Sequence, residues 1–143
     1  MKRLWHWLKD KWKIIKRSIV LLTALSQPIT VIIAQRFGPL FEESGSDPFI
    51  IPADYAFLIW SIIVTGTIIY GIYQLLPFTY NYKYLDKISF QSILIFLGFD
   101  LWIMAALNVW LPTTVLIFMA MGVALRIVFR ELLSVSFKIF LRK

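Results

Sequence analysis

Four stretches of the chain are long and apolar enough to cross a lipid bilayer as helices. About 20 mostly apolar residues span about 30 Å of hydrocarbon, because an α-helix rises 1.5 Å per residue. The four stretches are residues 18–37, 55–76, 88–111 and 113–133. None of them alternates apolar and polar positions like a strand of a membrane barrel, and backbone groups in lipid must bond internally. The pattern therefore predicts an all-α, polytopic membrane helix bundle with four transmembrane helices.

Glycine, serine and proline residues separate the predicted helices. Residues 37–52 contain several of them and are predicted to form a loop of about 16 residues. Pro77 ends the second apolar stretch, and Pro112 leaves room only for a very tight turn between the third and fourth. A turn this short makes the third and fourth helices antiparallel neighbours.

Lysine and arginine residues are concentrated on one side of this predicted topology. The side with both chain ends carries Lys2, Arg3, Lys9, Lys11, Lys13, Lys16, Arg17, Lys83, Lys87, Lys138, Arg142 and Lys143. The opposite side carries Arg36 among the acidic residues Glu42, Glu43, Asp47 and Asp54. Cytoplasmic loops of inner-membrane proteins are rich in Lys and Arg. We therefore expect a multi-pass inner-membrane protein with both termini in the cytoplasm and a basic cytoplasmic tail at residues 134–143.

Residues 1–17 have the pattern of an amphipathic helix at the membrane surface. Trp5, Leu8, Trp12 and Ile15 recur at helical spacing on one face, and lysines occupy another. Such a segment places indoles among lipid headgroups and lysines toward anionic lipid. The alternative is that the lysines only hold this end of the chain in the cytoplasm. A signal peptide is disfavoured because no small-residue cleavage site follows. Nucleic-acid binding is not expected, since no recognisable binding fold is present.

The composition supports a single membrane domain. Hydrophobic residues make up 59% of the 143 residues, charged residues 16%, and the mean hydropathy is +0.76. Soluble domains carry about a quarter charged residues, so soluble globular, disordered and fibrous classes are excluded. The chain has no cysteine, which excludes disulfides and thiolate metal sites.

Asp100 and Arg126 are the charged residues that lie furthest from the ends of the predicted spans. Asp100 lies near the middle of the third helix, and Arg126 lies toward the cytoplasmic end of the fourth. An isolated charge in lipid costs at least about 2.5 kcal/mol, so the sequence suggests an intramembrane ion pair between them. The alternative is that Arg126 extends to the interface while Asp100 is protonated. A transport role that uses Asp100 is a third, less favoured function.

Several further residues are candidates for helix packing or ligand binding. Trp60 and Trp102 lie deeper than interfacial anchors usually do, and an indole offers a flat apolar face and one donor to a planar ligand. On residue chemistry alone, ordinary packing of the bundle is the favoured explanation of both tryptophans. Thr67 and Gly71 form a pair of small residues four apart, which suits close helix packing.

Catalysis receives little support from the residues. The single histidine, His6, stands outside the predicted spans without a partner cluster, so it is only a weak candidate haem ligand. The chain has no glycine-rich phosphate loop, no paired carboxylates at a useful spacing and no set of metal ligands. We expect no enzyme activity, no catalytic residue and no metal site.

One segment resembles a known family. The run PADYAFLIW at residues 52–60, followed by Gly66, Tyr73-Gln74 and Leu76-Pro77, resembles the P-A-x-Y-x-F-x-I-W…G…Y-Q-x-L-P signature of the TspO/MBR (tryptophan-rich sensory protein) family. It is most similar to the divergent bacterial branch. Trp102 and the turn at Pro112 extend the resemblance into the third and fourth helices.

The resemblance implies a bundle that binds porphyrins and other hydrophobic ligands, often as a dimer. The family's ligand pocket is lined by aromatic residues under the first loop, and the matching positions here are Pro52, Tyr55, Phe57, Trp60 and Trp102. The chain departs from the branch in three respects. Asp100-Leu101 replaces an asparagine before Trp102, Val64 replaces an aromatic residue, and four predicted helices stand where relatives have at least five. Either the chain is a truncated relative or a partner supplies the missing wall.

We therefore expect a TspO-like binder or sensor of a hydrophobic ligand, with porphyrin or haem as candidate ligands and no certain cofactor. The ligand is expected between the second and third helices, under the loop at residues 37–52. A homodimer or a larger membrane complex would be the protein partner. The alternative function is a non-catalytic structural or assembly subunit of a membrane complex.

Overall fold

The computed structural model describes residues 2–37, 58–108 and 110–140. Four α-helices account for most of these residues: α1 (Lys2–Gln35), α2 (Leu58–Leu75), α3 (Lys83–Leu107) and α4 (Leu111–Phe140). A short 3-10 turn, Pro77–Thr79, follows α2. The described ranges contain no β-strand. The prediction of an all-α bundle is confirmed.

The helices have the length and composition of membrane spans. Three apolar segments are long enough to cross a bilayer: Lys11–Gln35 of α1, Lys83–Leu107 of α3 and Leu111–Phe137 of α4. The apolar part of α2 that the structure describes, Ile59–Leu75, is shorter. It starts just after residues 38–57, which lie outside the described part of the chain. The protein is therefore a helical membrane protein.

The first helix is longer than the sequence pattern indicated. We expected a separate interfacial helix at residues 1–17 and a span at 18–37, but α1 runs without interruption through 34 residues. No glycine or proline precedes Pro28, so nothing in the sequence breaks the helix between the basic segment and the apolar segment. The helix is about 50 Å long, well beyond the hydrocarbon thickness. Its basic segment therefore continues the direction of the span.

The last helix is also longer than expected. We predicted a span that ends near residue 133 and a separate tail, but α4 continues to Phe140. No glycine or proline follows Gly122 in α4, so the helix has no internal stop signal.

The helices pack in the order α2, α1, α3, α4. Helix α1 packs against both α2 and α3, and α3 packs against α4. Helices α3 and α4 are antiparallel, as predicted from Pro112: Lys87 pairs with Glu131 at one end, and Gly98 lies against Met121 further along. Helices α1 and α3 therefore form the middle of the bundle, while α2 and α4 are its edges.

Two apolar clusters form the core. The first joins Val20 and Ala24 of α1 to Phe96 of α3. The second joins Ala34 of α1 to Phe99 and Ile103 of α3, with Trp60, Val64 and Trp102 packed around it. We call the end of the bundle that carries Arg17 and Asp86 the basic end. The second cluster lies toward the opposite end.

Candidate ligand-binding site

A cavity opens among α1, α2 and α3 at the end opposite the basic end. Its volume is about 590 Å³, within the range of small-molecule sites. It is lined by Pro28, Val31, Ile32, Gln35, Trp60, Ser61, Val64, Thr65, Ile68, Phe99, Trp102, Ile103 and Ala106. None of these lining residues is charged, and only three carry polar side chains. We call this the Trp60–Trp102 cavity, and this end of the bundle the cavity end.

Aromatic rings form one wall of the Trp60–Trp102 cavity. The Trp60 and Trp102 rings are stacked with centroids 5.5 Å apart and planes inclined by 23°. Phe99 packs on both indoles, at 5.6 Å from Trp60 and 6.0 Å from Trp102. Phe118 of α4 also packs on Trp102, with ring centroids 5.2 Å apart. The structure thus brings together the two tryptophans that the sequence singled out, and it supports them from α3 and α4.

Helix α1 supplies a wall that the sequence analysis missed. Pro28, Val31, Ile32 and Gln35 line the cavity, whereas we had expected the ligand between the second and third helices alone. The four positions follow the i, i+3, i+4, i+7 spacing of one helix face. That spacing was a usable signal, but nearly every position in a membrane helix is apolar, so the face toward the ligand does not stand out.

The cavity is closed toward the basic end by a tight contact between α1 and α2. The Thr67 hydroxyl lies 2.7 Å from Oε1 of Gln27, which is only 3% exposed. One turn further on, a Cβ added at Gly71 would lie 3.0 Å from Cα of Leu21. The predicted packing role of Thr67 and Gly71 is confirmed. The two helices therefore touch through small and polar residues here and separate toward the cavity end.

Arg17 holds the basic end together. Its side chain is 3% exposed, and its guanidinium donates to Oδ1 of Asp86 from Nε at 3.1 Å and from Nη2 at 2.9 Å. Its remaining hydrogen bonds go to four backbone carbonyls, those of Gln74 and Thr79 at 3.1 Å and of Tyr80 and Tyr82 at 3.4 Å.

These carbonyls belong to the end of α2 and the turn after it, where the backbone alone does not use the full acceptor capacity of the carbonyls. An arginine offers five N–H donors in a planar fork, which fits a cluster of acceptors. In the sequence, Arg17 stands out only as one of the charges that set topology. In the structure it joins α1 to α2 and α3.

Further polar pairs link α2 to α3 near the basic end. The Ser89 hydroxyl lies 3.2 Å from Oε1 of the fully buried Gln74, and the Tyr70 and Ser92 hydroxyls are 3.1 Å apart. Tyr70 also packs edge-on against Phe96. Side chains thus bridge α2 and α3, whose backbones do not pack closely.

The structure does not bring Asp100 and Arg126 together. The Arg126 side chain is exposed, and Oδ2 of Asp100 lies 2.5 Å from the Ser26 hydroxyl of α1. With Gly98 opposite Met121, the antiparallel register places Asp100 level with about residue 119. Arg126 is therefore about 10 Å away along the axis, two helical turns rather than one.

Ser26 links Asp100 of α3 to α1. The Ser26 hydroxyl lies 2.8 Å from the Thr23 carbonyl as well as 2.5 Å from the Asp100 carboxyl. This hydroxyl is therefore within hydrogen-bond distance of two acceptors, the Thr23 carbonyl of its own helix and the Asp100 carboxyl of α3. The alternative, in which Arg126 extends to the interface and Asp100 is protonated, stays a prediction.

Three of the site residues suggested by the family resemblance lie outside the described part of the chain. Pro52, Tyr55 and Phe57 fall within residues 38–57. Their place at the cavity stays a prediction.

The fold and the cavity define a helical membrane protein with an aromatic cavity at one end of its bundle. A family model described as TSPO-like protein matches residues 18–142. The chain belongs to this TSPO-like family. Comparisons with curated proteins and with solved structures find no match.

Proposed function

We propose that this TSPO-like membrane protein binds a planar hydrophobic molecule of the porphyrin type in the Trp60–Trp102 cavity. The observation that carries the proposal is the pair of stacked indoles, 5.5 Å apart, in the wall of a 590 Å³ cavity whose lining is uncharged. Membership of the TSPO-like family supports it.

The shape and chemistry of the cavity suit a flat ligand. Trp60, Phe99 and Trp102 present ring surfaces, and aliphatic residues of α1 and α3 face them. Aromatic faces favour stacked contacts with a second planar system. The polar side chains of the lining are those of Ser61, Thr65 and Gln35. A few polar groups in a mainly apolar site serve to orient the ligand.

The role we propose is that of a binder or sensor rather than an enzyme. The described cavity lining contains no histidine, cysteine, carboxylate or lysine that would act as nucleophile or general base. Porphyrin or haem would then be a ligand that is bound and released. The two core helices α1 and α3 both contribute to the cavity wall, so a bound ligand would contact the two helices at the centre of the bundle.

Binding can be tested with protoporphyrin IX titrated into the purified protein, in detergent and in liposomes, with the Soret absorbance as readout. We expect saturable binding, and at least tenfold weaker binding for Trp60→Leu and Trp102→Leu, the loss typical of a central aromatic contact. Trp110→Leu is the matched control, because Trp110 is 59% exposed and does not line the cavity.

Absence of saturable binding in both media would contradict the proposal. Equal affinity of Trp60→Leu, Trp102→Leu and the unmodified protein would contradict it as well, since the ligand would then lie elsewhere. Either result would favour the alternative function, a structural or assembly subunit of a membrane complex.

We also propose that the basic end faces the cytoplasm of an inner membrane, with four crossings and both termini inside. The concentration of Lys and Arg at this end supports the orientation. The chain has no native cysteine, so single cysteines report topology directly. Ser44→Cys should react with a membrane-impermeant thiol reagent in cells whose outer membrane alone is permeabilised, and Ser134→Cys should not. The reverse pattern would overturn the orientation.

A further inference from the structure

We propose that Arg36 binds a carboxylate of the ligand whose ring system lies in the Trp60–Trp102 cavity. The inference rests on the proposed function and adds the chemical class of ligand: a planar apolar ring with at least one acidic group at its edge. Arg36 would be the residue that distinguishes such a ligand from a neutral ring of the same shape.

Arg36 lies at the mouth of the cavity. Ile32 and Gln35 of α1 line the cavity, and Arg36 follows Gln35 directly, one helical turn beyond Ile32. Helical turns continue past Gln35, because the Arg36 amide donates to the Ile33 carbonyl and the Phe37 amide to the Ala34 carbonyl, both at 3.0 Å. Residues four apart share a helix face, so Arg36 lies about 6 Å along the axis from Ile32, on the cavity side.

The charge distribution leaves Arg36 as the cation nearest to a ligand. In the sequence, Arg36 is the only lysine or arginine between Arg17 and Lys83, and residues 88–125 contain none. Arg17 lies at the basic end, where its guanidinium is occupied by Asp86 and backbone carbonyls. A carboxylate placed among the apolar lining residues would lose its hydration without a partner, which is costly. A ligand with an acidic edge therefore binds with that edge toward the mouth.

Arg36 has the chemistry and the freedom to meet such a group. Its side chain is exposed, so it reorients at little cost. A guanidinium forms two parallel hydrogen bonds with a carboxylate, a geometry that a lysine cannot reproduce. Ser61, Thr65 and Gln35 of the lining are neutral and do not replace it.

A structural role for Arg36 predicts a different outcome. A cation near the C-terminal end of a helix interacts favourably with the helix dipole, and this contributes a small amount of stability whatever the ligand. Only a ligand contact makes the effect of Arg36 depend on the charge of the ligand. The test is therefore a comparison of two ligands rather than of two proteins alone.

The experiment uses protoporphyrin IX and its dimethyl ester, which share one macrocycle and differ in their acidic groups. Both are titrated into the full chain in liposomes of neutral phosphatidylcholine. We expect Arg36→Gln to weaken binding of the diacid about tenfold, the size of one charge-assisted hydrogen-bonded contact, and to leave binding of the diester unchanged. Arg130→Gln, which removes an exposed cation toward the basic end, is the matched control and should alter neither.

The outcomes separate this inference from the proposed function. If Arg36→Gln leaves the diacid affinity unchanged, or weakens both ligands equally, the Arg36 contact is wrong while cavity binding stands. If neither porphyrin binds the unmodified protein, cavity binding itself is wrong. Arg36→Lys should recover only part of the diacid affinity, because a point charge replaces the two-pronged contact. Full recovery by lysine would show that charge alone, and no bidentate contact, is used.

Discussion

The two ends of the α1–α2–α3 unit are built in opposite ways. At the basic end, one buried arginine bonds to a carboxylate and four carbonyls, and Gln74, Ser89, Tyr70 and Ser92 link α2 to α3. At the cavity end, the same helices surround a cavity of about 590 Å³, and stacked aromatic rings join α2 to α3.

The difference shows how an open cavity is tolerated in a small bundle. Polar contacts in lipid are directional and fix the helices relative to one another, while ring contacts across a cavity fix them less tightly. The basic end therefore determines the arrangement of α1, α2 and α3. The cavity end is left free for a ligand, and this division predicts that substitutions at the two ends will affect different measurements.

The largest effect is expected at Arg17. Arg17→Leu leaves the partly buried Asp86 without its arginine partner and removes one donor from each of four carbonyls, and should lower the free energy of unfolding by about 3 kcal/mol. Unfolding by sodium dodecyl sulfate in mixed micelles measures this loss. Arg17→Lys should lose part of it, and the exposed Arg130→Leu should lose little. If the Arg17→Leu and Arg130→Leu variants are equally stable, Arg17 does not hold the basic end together.

The contact of Gly71 with α1 is expected to come next. A methyl group at Gly71 would lie 3.0 Å from the Leu21 backbone, so Gly71→Ala pushes α2 away from α1 and should cost about 1 kcal/mol. Gly66 of the same helix is the matched control, because a Cβ there meets nothing within 4 Å. Gly66→Ala should not lower the stability in the same assay. If both substitutions have the same effect, helix propensity rather than close approach explains it.

At the cavity end, the expected effect is on binding and not on folding. Val64→Phe places a ring in the Trp60–Trp102 cavity, which Val64 lines and whose volume is about 590 Å³. Protoporphyrin IX should bind about tenfold more weakly because space is lost, while the free energy of unfolding stays within about 0.5 kcal/mol. Val123→Phe, on an exposed part of α4, is the control for added ring size. Loss of stability without loss of binding would reverse the assignment of roles to the two ends.

The smallest effect is expected at Asp100. An amide keeps an oxygen that accepts from the Ser26 hydroxyl, so Asp100→Asn should change the free energy of unfolding by less than about 0.5 kcal/mol. Asp100→Leu should cost more, because it leaves Ser26 without this partner.

A double-mutant cycle of Asp100→Asn with Arg126→Gln tests the ion pair that the sequence suggested. Residues two turns apart without a shared partner should show no coupling beyond experimental error. A coupling energy above about 1 kcal/mol would show that Asp100 and Arg126 interact, as the sequence suggested.

The helices and the two tryptophans could be predicted from the sequence because both leave strong one-dimensional signals. Runs of apolar residues specify the bundle, and Trp60 and Trp102 are conspicuous for their depth. The tight turn at Pro112 also predicted that α3 and α4 are antiparallel, which the opposed Lys87 and Glu131 confirm.

The remaining features depend on register between helices, which one sequence does not encode in a readable way. An error of one turn in the relative height of α3 and α4 was enough to suggest an Asp100–Arg126 pair. Arg17 lies among other basic residues, so its role at the basic end emerges only when the end of α2 and the start of α3 are placed beside it. The contribution of α1 to the cavity was missed for the same reason.

The continuity of α1 has a mechanical consequence. One continuous helix carries the cavity residues Pro28 to Gln35, the Arg17 anchor and the basic segment that begins at Lys2. With Arg17 as a fulcrum, a 10° tilt of the helix displaces the backbone at Lys2 by about 4 Å, because about 23 Å of helix separates the two residues. A ligand that pushes α1 sideways at the cavity end would therefore move the basic segment of α1 sideways beyond the basic end.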